Sequence, residues 1–144
     1  MTRKLALAAA IILAVGGAAR ADGIDPIQTR QTGLDLLAAT AGGIKTVLAL
    51  NGDVKTLEGA GKAIKRWGAL FPTLFPAGSD KGETKASPDI WTDNAGFQKD
   101  AMALSEAGDK FAIAAKSGDA AATAAAFKEI GEACGACHKA YRLK

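Results

Sequence analysis

The chain has only two cysteines and one histidine, and all three lie in one run of five residues, Cys134-Gly135-Ala136-Cys137-His138, close to the C-terminus. Two thiols spaced C-x-x-C with a histidine directly after the second are the pattern of c-type haem attachment. Each thiol can add to one vinyl group of a porphyrin, and the imidazole can then bind the iron. On a helix these residues stand at i, i+3 and i+4, so the three side chains share one face.

Two other kinds of site use the same residue types. A thioredoxin-type C-x-x-C normally opens a helix, whose N-terminus lowers the thiolate pKa. Here the motif comes late in an alanine-rich run, where the helix dipole disfavours a thiolate. A structural zinc site needs four ligands, and a local disulfide would leave the histidine without a role. Haem attachment is therefore the main hypothesis, and a haem-free dithiol or metal-binding protein is the alternative from another class.

The N-terminal segment has the three parts of an export signal. Two basic residues precede an apolar run from Leu5 to Val15, and small residues lead to Ala19-Arg20-Ala21, an A-x-A cleavage pattern. The apolar run is too short to span a membrane, and no second run follows it. We therefore expect a signal peptide over residues 1–21, a mature domain over residues 22–144, and a location in the periplasm, because bacterial haem attachment takes place outside the cytoplasm.

The export signal also contains the chain's excess of positive charge. The whole sequence has a formal net charge of +3, and its first 21 residues hold three basic residues and no acid, so the mature chain is neutral. Its lysines and arginines are scattered among acids, which does not indicate a nucleic-acid surface. The mature chain is long enough for one domain. Few aromatic residues and many alanines would leave a thin core, which a buried porphyrin would complete.

Apolar residues recur at helical spacing in four segments of the mature chain. Two short connections and one long one, rich in Pro, Gly and Ser between Pro72 and Pro88, join these segments. This arrangement predicts an all-α, antiparallel four-helix bundle with the haem inside. The expected helix bounds are Asp25 to Asn51-Gly52, Asp53 to about Phe71-Pro72, Asp93 or Asn94 to Gly118-Asp119, and about Ala120 to Arg142.

With these features the chain resembles the cytochrome c prime family, class II c-type cytochromes in which a four-helix bundle carries haem near the C-terminus. The resemblance covers essentially the whole mature chain. The matching residues are the attachment motif at Cys134, Cys137 and His138, the Lys139-Ala140-Tyr141-Arg142 that follows it, Arg30-Gln31 in the first helix, and Pro88-Asp89-Ile90-Trp91 after the long connection.

The family implies one covalently bound haem c per chain and a set of contacts to its anionic propionates. Arg30 and Gln31 occupy two of the family's propionate-contact positions, and Thr84 and Lys85, just before the Pro-x-Ile-Trp feature, occupy two more. Basic and hydroxyl side chains suit that role. Trp67 and Trp91 are expected to pack near the haem without taking part in redox chemistry.

The sixth iron ligand divides the family. Low-spin relatives have a ligating methionine four residues after the first-helix arginine, and here that position is Leu34. Leucine cannot bind iron, Met1 would leave with the signal peptide, and Met102 lies off the apolar stripe of the third helix. The resemblance therefore implies five-coordinate, high-spin iron with an open apolar side, where NO and CO bind by displacing Leu34.

Arg142 follows His138 by four residues, which places it on the same face of the predicted helix. There it either lies over the histidine side of the haem or caps the helix C-terminus.

Several functions are compatible with these residues. The first is a periplasmic gas-binding haem protein that also transfers single electrons to or from redox partner proteins. A plain low-spin electron carrier, with Met102 as an unforeseen sixth ligand, is the alternative within the family. We find no general acid or base beside the motif, so we expect no enzymatic activity. Members of the family often form homodimers through the first two helices, where Gly42, Gly43 and Gly59 would permit close contact between chains or, equally, close packing within one chain.

Overall fold

The computed structural model describes residues 24–144 of the chain, so the expected signal peptide lies outside the described residues. Within this range no helix is both long enough and apolar enough to cross a membrane. Four long helices and one short one account for most of the fold. Their bounds are α1 Pro26–Ala49, α2 Glu58–Leu70, α3 Asp89–Thr92, α4 Asn94–Ser117 and α5 Ala120–Tyr141.

Aspartate caps set the starts of α1, α4 and α5 where the sequence predicted them, whereas α2 has no side-chain cap. The Asp25 side chain accepts a hydrogen bond from the Ile27 N–H at 2.8 Å, and Pro26 occupies the first helical position, where its missing N–H costs nothing. Asp93 and Asp119 cap α4 and α5 in the same way. Gly118 ends α4 with φ of +81°, a left-handed conformation that glycine adopts without strain.

The predicted second helix is shorter in the structure than in the sequence analysis. A 3-10 turn, Val54–Leu57, precedes α2, and another, Phe71–Leu74, follows it. Pro72 lies in the second turn and cannot donate a hydrogen bond, so the α-helix stops before it. α1 likewise ends at Ala49, two residues before the expected Asn51-Gly52 cap. The short α3 was not predicted.

The long helices pack as an antiparallel bundle, as expected. Gly61 and Gly68 of α2 lie against Ala112 and Ser105 of α4, so the two helices run in opposite directions. α4 and α5 are antiparallel by the same criterion. Phe111 stacks on Phe127 near one end, with ring centroids 6.1 Å apart, and Phe97 on Tyr141 near the other, at 5.3 Å.

Small residues bring α2 and α4 unusually close together. A Cβ atom added at Gly68 would lie 2.6 Å from the Ser105 backbone nitrogen, and one added at Gly108 would lie 2.6 Å from the Lys65 nitrogen. The Ser105 hydroxyl donates to the Lys65 carbonyl at 2.9 Å across the same contact. At these positions the backbones of α2 and α4 are in direct contact.

Gly68→Ala should destabilise the fold through this contact. The added methyl group meets backbone atoms that cannot move aside, and overpacking of this kind typically costs about 1–3 kcal/mol. Urea unfolding of the haem-loaded protein measures the change. Gly59→Ala, on the same helix, is the matched control, because a Cβ at Gly59 meets nothing within 4 Å. It should leave stability unchanged or raise it by up to about 1 kcal/mol. Equal effects of the two substitutions would contradict this view of the α2–α4 contact.

α1 is the least buried of the long helices. Its only buried residues are Arg30 and Ile44. At the level of the backbone it lies apart from α4 and α5 and contacts chiefly the segments on either side of α2. Of the side chains that α1 directs inward between its two buried residues, Leu34, Ala38 and Ala41 face a cavity, and Leu37 faces it while it also packs against the buried core.

Candidate functional site

A cavity of about 660 Å³ lies between α1 and the other long helices. This volume falls within the range of roughly 300–1,000 Å³ that is usual for sites of cofactors and small molecules. Most of its wall is apolar or aromatic. Side chains of α1, α2, α4 and α5 form the wall together with the connection that leads from α2 to α3.

The three residues of the C-terminal motif line this one cavity from α5. Cys134 and Cys137 are half-buried, are not joined by a disulfide, and stand one turn apart, and His138 is exposed at the same face. The sequence prediction that one helical face presents all three side chains is therefore confirmed. No group of three or more His, Cys, Asp or Glu side chains in residues 24–144 is arranged to hold a metal ion.

The raised pKa values of the two motif cysteines argue against a redox dithiol. Burial raises the pKa of Cys134, and burial together with nearby Asp100 and Cys134 raises the pKa of Cys137 to about 11. Thiol redox centres need a lowered thiol pKa instead. Burial, with a contribution from Arg142, lowers the pKa of His138. The neutral imidazole that results is the form that binds metals.

Leu34 contributes to the cavity wall from α1, where it is 37% exposed. Leu37, Ala38 and Ala41 continue the same wall along the helix, with the exposed Asp35 beside them. Met102 lies on α4, is 46% exposed, and does not line the cavity. Among the described residues, no methionine and no histidine other than His138 reaches this space.

Arg30 is the most constrained polar residue at the cavity. It is 3% exposed, and its guanidinium donates to the Ser79 hydroxyl at 2.8 Å, the Ser79 carbonyl at 2.9 Å and the Leu74 carbonyl at 3.2 Å. It also lies 4.4 Å from the centroid of the Phe75 ring. In residues 24–144 no carboxylate forms an ion pair with it. Arg30 therefore joins the connection after α2 to α1 and keeps a buried positive charge at the cavity, with Asp25 near enough to interact with it but not to form an ion pair.

Arg30→Met should loosen the connection between α2 and α3. The substitution leaves the Leu74 and Ser79 carbonyls without their donor, and we expect a loss of roughly 2–4 kcal/mol in the free energy of unfolding. Urea unfolding and the rate of proteolysis between residues 75 and 88 measure it. Gln31→Ala is the matched control, because exposed Gln31 makes one hydrogen bond to the same connection, to the Glu83 carbonyl at 2.8 Å. The prediction fails if both variants lose the same stability.

The other residues expected at the propionates also line the cavity, but they are more exposed than Arg30 and make fewer hydrogen bonds. Thr84 is half-buried and lines it, and its hydroxyl accepts from the Ala86 N–H at 3.2 Å and, weakly, from Arg30 at 3.4 Å. Gln31 and Lys85 also line the cavity and are exposed. The structure thus brings the four residues to one side of the cavity, and their contacts with the cofactor stay a prediction.

The expected helical position of Arg142 is wrong. α5 ends at Tyr141, and Arg142 has extended backbone angles, φ −118° and ψ 126°. Residues 141–143 pair with residues 85–87, since the Tyr141 carbonyl accepts from Ser87 and the Leu143 N–H donates to Lys85. Arg142 nevertheless lines the cavity and is close enough to lower the pKa of His138.

Sequence reasoning missed an aromatic cluster on the cavity wall. Phe71, Phe75, Phe97 and Tyr141 stack edge to face or tilted, with successive centroids 4.8–6.0 Å apart. The Tyr141 hydroxyl donates to Asp93 at 2.7 Å. Trp67 lines the cavity as expected, whereas Trp91 lies outside its wall. Phe71 begins a proline-containing 3-10 turn and Phe75 follows it, so no helical periodicity in the sequence could indicate their role.

The residues around the cavity fit a haem. The space is flanked by both thiols and the imidazole of a C-x-x-C-H motif, its walls are apolar, and a buried guanidinium without an ion-paired carboxylate suits an anionic propionate. A four-helix bundle with this site defines a c-type haem protein.

Comparison with known proteins identifies the family. The chain matches the family described as Cytochrome C' over residues 25–142 and belongs to it. It is 33% identical over 122 residues to cytochrome c' of Alcaligenes xylosoxydans xylosoxydans, a match that covers 83% of this chain and 94% of that protein. The chain is accordingly a protein that carries covalently bound haem c, as its motif predicted.

Solved structures agree with the fold. The crystal structure of cytochrome c' from Thermochromatium tepidum is 31% identical and superposes with a TM-score of 0.77, covering 83% of this chain and 95% of that one. A nitric oxide complex of a mutant of cytochrome c prime from Alcaligenes xylosoxidans is 32% identical, with a TM-score of 0.75 over 83% of this chain and 94% of that one. The all-α four-helix bundle expected from the sequence is confirmed.

Proposed function

We propose that the protein is a periplasmic haem protein with five-coordinate, high-spin iron, which binds NO and CO and exchanges single electrons with redox partner proteins. One observation carries this proposal. Among the described residues, the cavity is lined by one histidine, His138, and by no methionine, and the hydroxyl of the tyrosine that lines it, Tyr141, is hydrogen-bonded to Asp93. Across from the motif helix, α1 offers Leu34.

In this proposal Cys134 and Cys137 attach the cofactor through thioether bonds and His138 binds its iron. The haem supplies an iron centre that takes up a small ligand or one electron. Arg30, Gln31, Thr84 and Lys85 bind the propionates. The buried charge of Arg30, which forms no ion pair among the described residues, supports its part in this set, because burying a cation is less costly beside an anion.

The gas-binding side of the proposal follows from the chemistry of Leu34. Its side chain offers no hydrogen bond to a bound ligand, so dioxygen gains no stabilisation there. NO and CO bind iron strongly without such a hydrogen bond and need only displace the leucine. Nitric oxide complexes of variants of the Alcaligenes xylosoxidans relative support NO binding at such a site.

The low-spin electron carrier is the less favoured alternative. It requires a sixth ligand, and Met102, the candidate from the sequence, lies exposed on α4 outside the cavity wall.

We propose no enzymatic reaction, since electron exchange and gas binding need only the iron site. We further propose export through a signal peptide over residues 1–21, which leaves a mature domain over residues 22–144.

Titration of the ferrous, haem-loaded protein with NO tests the proposed function. We expect a saturable change in the visible spectrum at one NO per haem, because one open coordination site is available. Absence of any change up to a large excess of NO would overturn the proposal and favour the electron carrier.

We also propose a homodimer through the first two long helices, α1 and α2. Leu36 of α1 is 65% exposed, Leu50 just after α1 is 75% exposed, and a Cβ atom at Gly42, Gly43 or Gly59 would meet nothing within 4 Å, so these positions are open to another chain. Leu36→Glu should convert the dimer to a monomer at micromolar concentration, as measured by light scattering. Ile113→Glu on α4, where the side chain is 66% exposed, is the matched control and should leave the dimer intact. A monomeric wild type would contradict the dimer.

A further inference from the structure

α1 crosses the cavity with support at only a few points. Its buried residues, Arg30 and Ile44, lie 14 residues apart, or about 21 Å along the helix axis. Between them, Leu34 and Ala38 border open space, and Leu37 borders the same space while it also packs against the buried core. The position of Leu34 therefore depends on whatever contacts α1 between its two buried residues.

Trp67 of α2 makes such a contact, at Gly33. A Cβ atom added to Gly33 would lie 2.5 Å from Cζ3 and 2.6 Å from Cζ2 of the indole and would also collide with Cη2. The outer edge of the six-membered ring thus lies directly against the α1 backbone. Only glycine allows an approach this close. The residue contacted is the immediate neighbour of Leu34 in the chain.

The indole occupies this position although its one polar group, the Nε1–H, has no hydrogen-bond partner among the described residues. Its ring tilts against Phe71, with centroids 5.4 Å apart. The Nε1–H is buried and, among the described residues, has no hydrogen-bond acceptor. Buried donors without a partner are rare and costly.

We propose that Trp67 is a positioning residue that fixes Leu34 over the cavity and thereby limits the entry of diatomic ligands. This inference rests on the proposed gas-binding function. A ligand that reaches the iron must move the Leu34 side chain aside. The indole occupies space on the same wall beside α1 and restricts that movement, so Trp67 raises the barrier to ligand entry through Leu34 without contacting the iron.

Flash photolysis of the ferrous, CO-bound protein tests the proposal. Trp67→Leu should speed CO association by about tenfold, because Leu34 gains room to move and the barrier falls. Trp91→Leu is the matched control, since Trp91 is the second tryptophan and lies outside the cavity wall. It should leave the rate within about twofold of wild type.

Substitution of Gly33, the residue that the indole contacts, provides a second and independent test. Gly33→Ala should change the CO association rate several-fold in the wild-type background, because ring and methyl group cannot share the space. In the Trp67→Leu background the same substitution should change the rate by less than about twofold, since the ring is gone. Additive effects of the two substitutions would overturn the proposal.

Amide hydrogen exchange of α1 in the ferric protein, without added gas, provides a readout that does not depend on ligand binding. Residues 31–41 should exchange faster in Trp67→Leu than in Trp91→Leu. Wild-type CO kinetics together with wild-type exchange in Trp67→Leu would overturn the proposal. If the wild type takes up no CO, the proposed function fails, and the exchange comparison still decides whether Trp67 holds α1.

Discussion

The Cys134→Ala/Cys137→Ala variant is expected to reach the periplasm without covalently bound haem, whereas the wild type carries one haem c per chain. Both thiols line the cavity from one face of α5, and no other cysteine exists in the chain to replace them. Intact-mass measurement and a haem-stained denaturing gel detect the loss. Each single substitution should leave at most one thioether bond and reduce the yield of haem-loaded protein.

Gly135→Ala is the control for this experiment. It alters the motif between the two thiols, yet a Cβ at Gly135 meets nothing within 4 Å, so the fold and the attachment should be retained. Covalent haem on the double alanine variant would contradict the assigned roles of Cys134 and Cys137. Loss of haem from Gly135→Ala would indicate that attachment depends on more than the two thiols and the histidine.

Leu34→Met is expected to convert the iron from five-coordinate, high-spin to six-coordinate, low-spin. The side chain at this position faces the cavity, and a thioether is an established axial ligand of haem iron. CO association should slow by roughly two orders of magnitude, a barrier increase of about 2.7 kcal/mol, because the methionine must leave before CO binds. Visible spectroscopy reports the spin state, and flash photolysis reports the rate.

Leu36→Met is the matched control for that substitution. Leu36 lies two residues further along α1, is 65% exposed, and does not line the cavity. The control should keep the wild-type spectrum and CO kinetics. A Leu34→Met protein that stays high-spin and binds CO at the wild-type rate would show that residue 34 does not face the iron.

The sequence was sufficient to predict the helices whose ends carry strong local signals. Asp25, Asp93 and Asp119 each cap a long helix, and Gly118 terminates α4, because these side chains act on backbone groups only a few residues away. The short helix α3 and the two 3-10 turns were not predicted. They are too short for periodicity to appear and depend on packing against the bundle.

The candidate site, like the fold, could be predicted from the sequence only where the signals are local. The motif residues could be placed on one helical face from their spacing alone. The hydrogen bonds of Arg30 to Ser79 and the contact of Trp67 with Gly33 could not be predicted, since each joins residues more than 30 positions apart in the chain. Arg142 was placed wrongly because its pairing with residues of the long connection ends the helix one residue earlier.

The proposed function requires an iron centre with His138 on one side and no protein ligand on the other. The visible spectrum of the ferrous, haem-loaded protein, recorded before and after addition of CO, tests it most directly. We expect a broad high-spin Soret band that sharpens when CO is added. Sharp, split low-spin bands that CO leaves unchanged would reveal a sixth protein ligand and contradict the proposed function.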